Sequence, residues 1–447
     1  MPDQRDKFGT YALVLLLVGA LVRSLLITSL HRFYTVLMLD ASYIRAGQDI
    51  LRFNFQALGD RVPAYPFFVA LCGLNRRAIW IAQSILGIAA SLMVFDMAFR
   101  RTRNGLIAFL TGLACSLLPQ VLIYESWVMT ETLTNFLLVA SLWLITRCEG
   151  AGESNIRYPL GLGLIVALAG LTRPLMICLA PVYYCFLIPL WPPANILKRE
   201  AIKRTLSFAL PVTVFILGWC GFNYFNSGYF TPTTRGGEHL MMQVAPYVDL
   251  APDRFAVLRD AWIQSRQQNP PVPDDTSEDV YYSALPEVER RTGKTDIQVS
   301  HDFAFLALYL EVHHPLFCLR RAEQGWMQFW GGPRREEIEW PQDGNVGLTG
   351  FALPMAHFLM RQVKGAYLVL ALLSIPFAFF RLKIFTRLEY LTFAMAFCIS
   401  IVAAFTEFGS NRRYSVPLYM IIIYTLLTRV WLWTTAGSFQ GAGATPD

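Results

Sequence analysis

The run Leu37-Met38-Leu39-Asp40-Ala41-Ser42-Tyr43 sets a carboxylate a few residues beyond the first long apolar segment. Low-dielectric surroundings disfavour the anion, so an acid at the mouth of a lipid-embedded bundle usually has a task, such as removing a proton, binding a cation or pairing with a substrate. A second acidic position lies in the stretch Pro119 to Glu131, which joins two apolar segments with almost no polar loop. Glu125 or Glu131 must therefore lie at the outer end of the bundle. Thr130 followed by Glu131 also suits a helix start, where a carboxylate meets the helix dipole. The residues alone leave both readings of Glu131 open; for Glu125 the purely structural reading is preferred. Arg61, Arg173, Arg235, Arg412 and Arg413 fall at the same predicted face. A guanidinium fork matches phosphate oxygens and stays charged when partly buried, although each arginine taken singly also suits an interface position.

Other groups carry less. Asp49 and Asp60 share the loop of Asp40 and read as exposed charges, on an amphipathic helix and in a turn after Gly59. Gly161-Leu162-Gly163 lies inside an apolar span and is no nucleotide loop. His313-His314-Pro315 reads as a helix end, since no third ligand is spaced to join a metal site. Asp96 stands four residues before Arg100, the spacing of an intrahelical pair.

These groups are positioned by apolar runs at about 10–30, 78–99, 105–124, 131–147, 158–172, 174–191, 206–223, 365–382, 388–407 and 414–433. The run at 158–172 is short, and its boundary with the next falls at Arg173-Pro174. The first run, interrupted by Arg23 and not followed by a small-residue cleavage site, reads as an uncleaved signal anchor with a cytoplasmic N-terminus. Alternating sides from there puts Arg100-Arg101-Thr102-Arg103, Lys198-Arg199 with Lys203-Arg204, and Arg381, Lys383 and Arg387 on the cytoplasmic face, as the positive-inside rule expects. The expected organisation is an N-terminal transmembrane domain (1–223) with a catalytic first outer loop (31–77), an outer-face insert (224–364), C-terminal transmembrane helices (365–433) and a disordered tail (434–447). Within the insert, Pro315 should begin a helix whose Arg320-Arg321 and Trp326, Phe329 and Trp330 suit the lipid headgroups.

Composition bounds the class. The chain has 447 residues, 54% of them hydrophobic and 16% charged, with a mean hydropathy of +0.40. Soluble domains carry about 25% charged residues, so this is an all-α polytopic membrane protein. The net charge of +6 collects at span ends and forms no basic-aromatic patch, which excludes nucleic acid as a partner. Of eight cysteines, six lie in or at the ends of apolar spans and read as small hydrophobes.

One further pattern runs through the chain. Asp40 is followed by Tyr43 and Ala46, then by Arg61-Val-Pro-Ala-Tyr65-Pro and by Thr130-Glu131-Thr-Leu. Leu171-Thr172-Arg173-Pro174, Asn223-Tyr224, Gly236-Gly237, His314-Pro315 and Arg413-Tyr414-Ser-Val-Pro417 come after. In order and topology this resembles the GT-C superfamily of membrane glycosyltransferases, nearest to bacterial proteins related to protein O-mannosyltransferases and lipid A aminoarabinose transferases. The resemblance implies a bundle of about ten transmembrane helices, interfacial helices in the first outer loop and a mainly helical periplasmic insert. It implies inverting transfer of a hexosyl or pentosyl group from a polyprenyl-phosphate donor to a hydroxyl of a glycan, lipid or protein acceptor. The site would face the periplasm from a bacterial inner membrane, with both termini in the cytoplasm.

Carried onto these positions, the resemblance makes Asp40 the base that takes the acceptor's proton. Glu131 would orient the acceptor or help hold a divalent cation, Mg2+ or Mn2+, with Asp40. Arg61, Arg173, Arg412 and Arg413, with Tyr43 and Tyr65, would bind the lipid phosphate and acceptor. Many relatives carry paired acids in the first loop where this chain has Asp40-Ala41, which weighs against a two-carboxylate metal site there. A departing phosphate needs positive charge rather than a general acid, so one carboxylate base suffices. The alternative is a flippase or transporter of lipid-linked or anionic substrates, which would place ionisable residues deep within several spans.

Overall fold

Apolar segments of bilayer length have no water to satisfy their backbone groups, so they close their hydrogen bonds internally as helices. The computed structural model describes residues 3–37, 41–55, 58, 61–148, 156–187, 198–269, 278–331, 347–380, 384–409 and 411–441, and every regular element among them is a helix. α1 (Asp3–Leu37) carries the first apolar run, and α2 (Ala41–Leu51) and α3 (Ala64–Leu71) form the first loop. Then α4 (Arg76–Thr102), α5 (Gly105–Ser116), α6 (Pro119–Ser126), α7 (Glu131–Cys148), α8 (Arg157–Thr172), α9 (Leu179–Leu187) and α10 (Lys198–Ser227) pass back and forth through the bundle. The insert holds α11 (Gly236–Val244), α12 (Ala256–Gln268), α13 (Glu278–Thr292), α14 (Asp296–His313) and α15 (Pro315–Trp330). The bundle closes with α16 (Gly347–Phe379), α17 (Arg387–Thr406), the single turn α18 (Asn411–Tyr414) and α19 (Tyr419–Gly441).

The described parts of the apolar runs expected from the sequence fall mainly on these helices, with residues 188–191 and 381–382 of two runs lying outside the described residues. Among the described residues six are long and apolar enough to cross a membrane, and α5 with α6, bent by 45°, makes a seventh if counted as one span. Their ends follow from local chemistry. Asn75 accepts from the N–H groups of Arg77 and Ala78 to start α4 (3.0 and 3.1 Å), and Asn104 starts α5 in the same way. Pro174 disfavours a helical conformation at the residue before it. Arg173 is accordingly extended (φ −147°, ψ 116°), ending α8 and turning its side chain away from the helix axis. Glu407 ends α17 in the same extended region (φ −154°, ψ 147°).

Lipid tails are as apolar as leucine, so helices in a membrane are held together by close packing and polar contacts more than by hydrophobic burial. The chief such contact here is Arg23 of α1 with Glu125 of α6. The guanidinium meets both carboxylate oxygens at 2.6 and 2.7 Å and also reaches the carbonyl and hydroxyl of Ser116 at 3.2 Å. Glu125, for which no partner was foreseen, is thus one half of an ion pair that ties α1 to the bent span.

The insert has its own core, in which Trp262, Tyr281, Val288, Val299, Phe303 and Leu306 are buried. Gly237 lets α11 approach α14 so closely that a Cβ there would lie 1.8 Å from the Ser300 carbonyl oxygen. α15 departs from expectation. Phe329 and Trp330 form no exposed surface; they are 0% and 7% exposed and pack into the bundle core, Trp330 against Tyr367 and Phe397. The reason is Lys364 of α16, whose ammonium donates to the carbonyls of Phe329 and Gly331 (2.5 and 3.0 Å). The terminal carbonyls of α15 are thereby satisfied inside the bundle, where water could not do so.

Candidate active site

Helix ends meet on the side of the bundle that carries the insert. Glu131 opens α7, Arg173 occupies the break after α8, Glu407 closes α17 and Arg413 lies in α18. Glu131 is 1% exposed. Its Oε1 accepts from Nη2 of Arg173 at 2.9 Å and lies 2.7 Å from Nε of Arg413. One carboxylate oxygen thus holds two guanidinium groups. Neither Oε2 of Glu131 nor Nη1 of Arg173 has a hydrogen-bond partner among the described residues. The Arg173 guanidinium lies over the Tyr414 ring, 4.6 Å from its centre.

These arginines open onto a cavity of about 380 Å³. Arg61 and Tyr43 come from the first loop, Arg173 from the α8 break, Arg235 and His239 from the start of the insert, and Glu407, Arg413 and Tyr414 from the α17–α18 turn. Arg61 donates to the Ser42 hydroxyl at 3.0 Å and stacks 4.6 Å above Tyr43. Arg235 donates to the Tyr282 hydroxyl at 2.7 Å. Among the described residues the wall carries four arginines and one carboxylate, Glu407, a balance that focuses positive potential and favours an anion. The Tyr414 hydroxyl donates to Oε2 of Glu407, and Nδ1 of His239 lies 3.5 Å from the same oxygen.

Of the residues picked out in the sequence, Tyr43, Arg61, Arg173 and Arg413 come together on this wall, with Glu131 directly behind two of them. Tyr65 stands behind Tyr43. It is fully buried, donates to Gln83 Oε1 at 3.0 Å and meets the Tyr43 ring edge-on at 4.9 Å. Arg412 neighbours the cavity without lining it, and its carbonyl accepts from the Ser415 hydroxyl at 2.7 Å. Asp40 lies outside the described residues; Tyr43, three positions on, is on the cavity wall. His239 and Glu407 were not picked out: each is an isolated polar residue whose spacing matches no motif. Among the described residues no group of three His, Cys, Asp or Glu side chains is close enough to share a metal ion. Glu131 is committed to arginine, so the described residues do not by themselves make up a divalent-cation site.

Residues 64–219 match the family of dolichyl-phosphate-mannose-protein mannosyltransferases, a segment that includes Glu131 and Arg173 but not Arg61, Arg235, Glu407 or Arg413. Among solved structures the chain is similar to the archaeal oligosaccharyltransferase AglB from Archaeoglobus fulgidus, determined in complex with an inhibitory peptide and a dolichol-phosphate. The likeness has a TM-score of 0.50 at 14% identity and covers 98% of this chain. The chain spans about half of that protein, 52% of its length. No curated protein matches in sequence.

Proposed function

We propose, for a membrane protein built on the fold of the GT-C glycosyltransferases, that this chain transfers a sugar from a polyprenyl phosphate to an acceptor hydroxyl, with inversion, on the outer face of a bacterial inner membrane. The observation that carries the reading is the pair Arg173 and Arg413, held by one buried carboxylate and facing a cavity also lined by Arg61 and Arg235. Guanidinium groups at this density are expensive to hold without an anion, and a phosphate ester offsets that cost with charge-assisted, geometrically matched hydrogen bonds. They also do what the chemistry requires, because charge develops on the phosphate as the glycosidic bond breaks. The matched family and the bound ligand of the archaeal neighbour both carry a dolichol-linked phosphate, which supports a lipid phosphate as donor.

In this reading Asp40 takes the proton of the attacking hydroxyl. Glu131 positions Arg173 and Arg413 for the departing phosphate, and attack from the face opposite that phosphate inverts the anomeric carbon. The insert, which supplies Arg235 to the wall, meets the acceptor. The arginine-rich end of the bundle opposite the cavity supports the assigned sidedness. Charges deep in the bundle would favour transport, but Arg23 and Lys364 are bonded to fixed partners and line no part of the cavity.

The test is reconstitution of the full chain with polyprenyl-phosphate-linked sugars and candidate acceptors. Wild type should transfer sugar, and Asp40→Asn should slow transfer by about 10²–10⁴-fold, the range for a lost general base. A properly folded Asp40→Asn protein working at the wild-type rate would remove Asp40 from the mechanism.

A further inference from the structure

The cavity has a second wall of opposite character. Glu407 is its one lining carboxylate among the described residues. A carboxylate repels phosphate, so Glu407 is not part of the anion cradle. Oε2 already accepts from the Tyr414 hydroxyl and lies near His239, whereas no described residue bonds to Oε1. The group is 7% exposed, so its orientation is fixed by these neighbours rather than by water. Gly237 seats α11, the helix that carries His239, tightly against α14. Tyr414 joins the two walls: its ring lies under Arg173 and its hydroxyl bonds to Glu407. A phosphate at Arg173 and Arg413 would therefore put its ester substituent within about a tyrosine ring's length of Glu407 and His239.

A carboxylate oxygen and an imidazole beside a phosphate site are suited to hydroxyl groups. The carboxylate accepts from them, and the imidazole donates or accepts according to its tautomer. We propose that Glu407 and His239 recognise the hydroxyls of the donor sugar, making them specificity-determining residues that distinguish a sugar-bearing polyprenyl phosphate from the bare lipid phosphate. The assignment rests on the phosphate reading of the arginine wall. It joins two segments, the first helix of the insert and the end of α17, that meet only in the folded chain.

The experiment measures binding of the full chain in lipid nanodiscs to polyprenyl phosphate and to polyprenyl-phosphoryl mannose, glucose and arabinose. Wild type should bind at least one sugar-bearing lipid about tenfold or more tighter than polyprenyl phosphate, the increment of a lost-or-made hydrogen bond to a charged group. Glu407→Gln and His239→Ala should each remove most of that increment. Both should bind bare polyprenyl phosphate at least as well as wild type, which also reports that they are folded. In transfer assays the loss should appear in KM and in reduced discrimination between sugars. Unchanged increments in both variants, or a wild type that binds none of the three sugars better than the bare lipid, would overturn the sugar wall while leaving the phosphate reading standing. Failure of polyprenyl phosphate itself to bind, with no effect of Arg413→Ala, would remove the phosphate reading and this proposal together.

Discussion

The two ends of the bundle each carry a buried glutamate between two arginines, and they differ in what surrounds it. At the end away from the insert, Glu389 is 3% exposed and stands 3.0 Å from Arg101 and 3.2 Å from Arg429. The same carboxylate accepts from the N–H and hydroxyl of Thr386 at 2.7 and 2.8 Å, closing the capping box that starts α17. Nearby, Oδ2 of Asp96 takes Arg100, Arg147 and Trp143 together. At the insert end, one oxygen of Glu131 carries both arginines, its other oxygen has no described partner, and the guanidinium groups turn toward a cavity. Residue types are nearly the same at the two ends. A carboxylate with both oxygens engaged by its own chain fastens helices; one that engages two arginines from behind presents them to something else.

The largest effect should come from a third pair that belongs wholly to the fastening kind. Arg23 meets both oxygens of Glu125, and Gly87 packs so close that a Cβ there would fall 1.8 Å from Oε1. Glu125→Leu should destabilise the protein by about 3–5 kcal/mol, because it strands a buried guanidinium. The double variant Arg23→Met with Glu125→Leu should recover most of that loss in a thermal unfolding midpoint measured in detergent. If the single variant melts with wild type, fully engaged buried pairs do not hold this bundle together.

Next in size is the arginine wall. Arg413→Ala should lower transfer by about 10²–10³-fold, on the scale of about 3–4 kcal/mol for a lost transition-state donor, with donor affinity weakened more than acceptor affinity. Arg147→Ala, at the end away from the insert, should leave transfer per folded molecule unchanged. Equal losses in the two variants would erase the distinction between the ends. A smaller effect separates the glutamates themselves. Glu389→Gln weakens a helix cap and two buried ion pairs, and should lower the unfolding midpoint with turnover intact. Glu131→Gln should instead depress turnover more than stability.

Much of this was legible in the chain, for reasons that also explain what was not. Pro174 after Arg173 marks a break, and breaks are where a membrane helix can turn a charged side chain toward a cavity. Arg61, Arg173 and Arg413 could thus be found, along with Glu131 at a helix start. Arg23 and Glu125 are 102 positions apart, and their pairing depends on how α1 leans on the bent span. His239 and Glu407 are as hidden, since neither belongs to a periodic pattern and each acquires meaning only from the other. Trp330 misled because an aromatic near a membrane end looks interfacial, while its true place depends on Lys364 capping α15 inside the bundle.

The insert supplies a carboxylate with no cation paired to it among the described residues, and so a limit for the comparison. Oε1 of Glu311 in α14 is buried without a partner among the described residues. Burial pushes its carboxyl up from the ordinary 4.5 to about 7. Between those values the folded insert holds the proton more tightly than the unfolded chain, so its stabilising contribution is full below about 4.5 and is lost as the pH rises through about 7. The group is partly open to solvent, so the effect should be on the order of 1 kcal/mol or less after screening. Raising the pH from 5 to 8 should lower the unfolding midpoint of wild type slightly, and Glu311→Gln should flatten that slope. Glu287 contributes the opposite trend only at lower pH: Arg290 and Arg291 hold its carboxyl down at about 2, so its contribution is full above about 4.5 and is lost as the pH falls through about 2. A Glu311→Gln protein with the full wild-type slope would mean that this carboxylate has a partner after all, and that burial without a cation is not what separates it from Glu389 and Glu131.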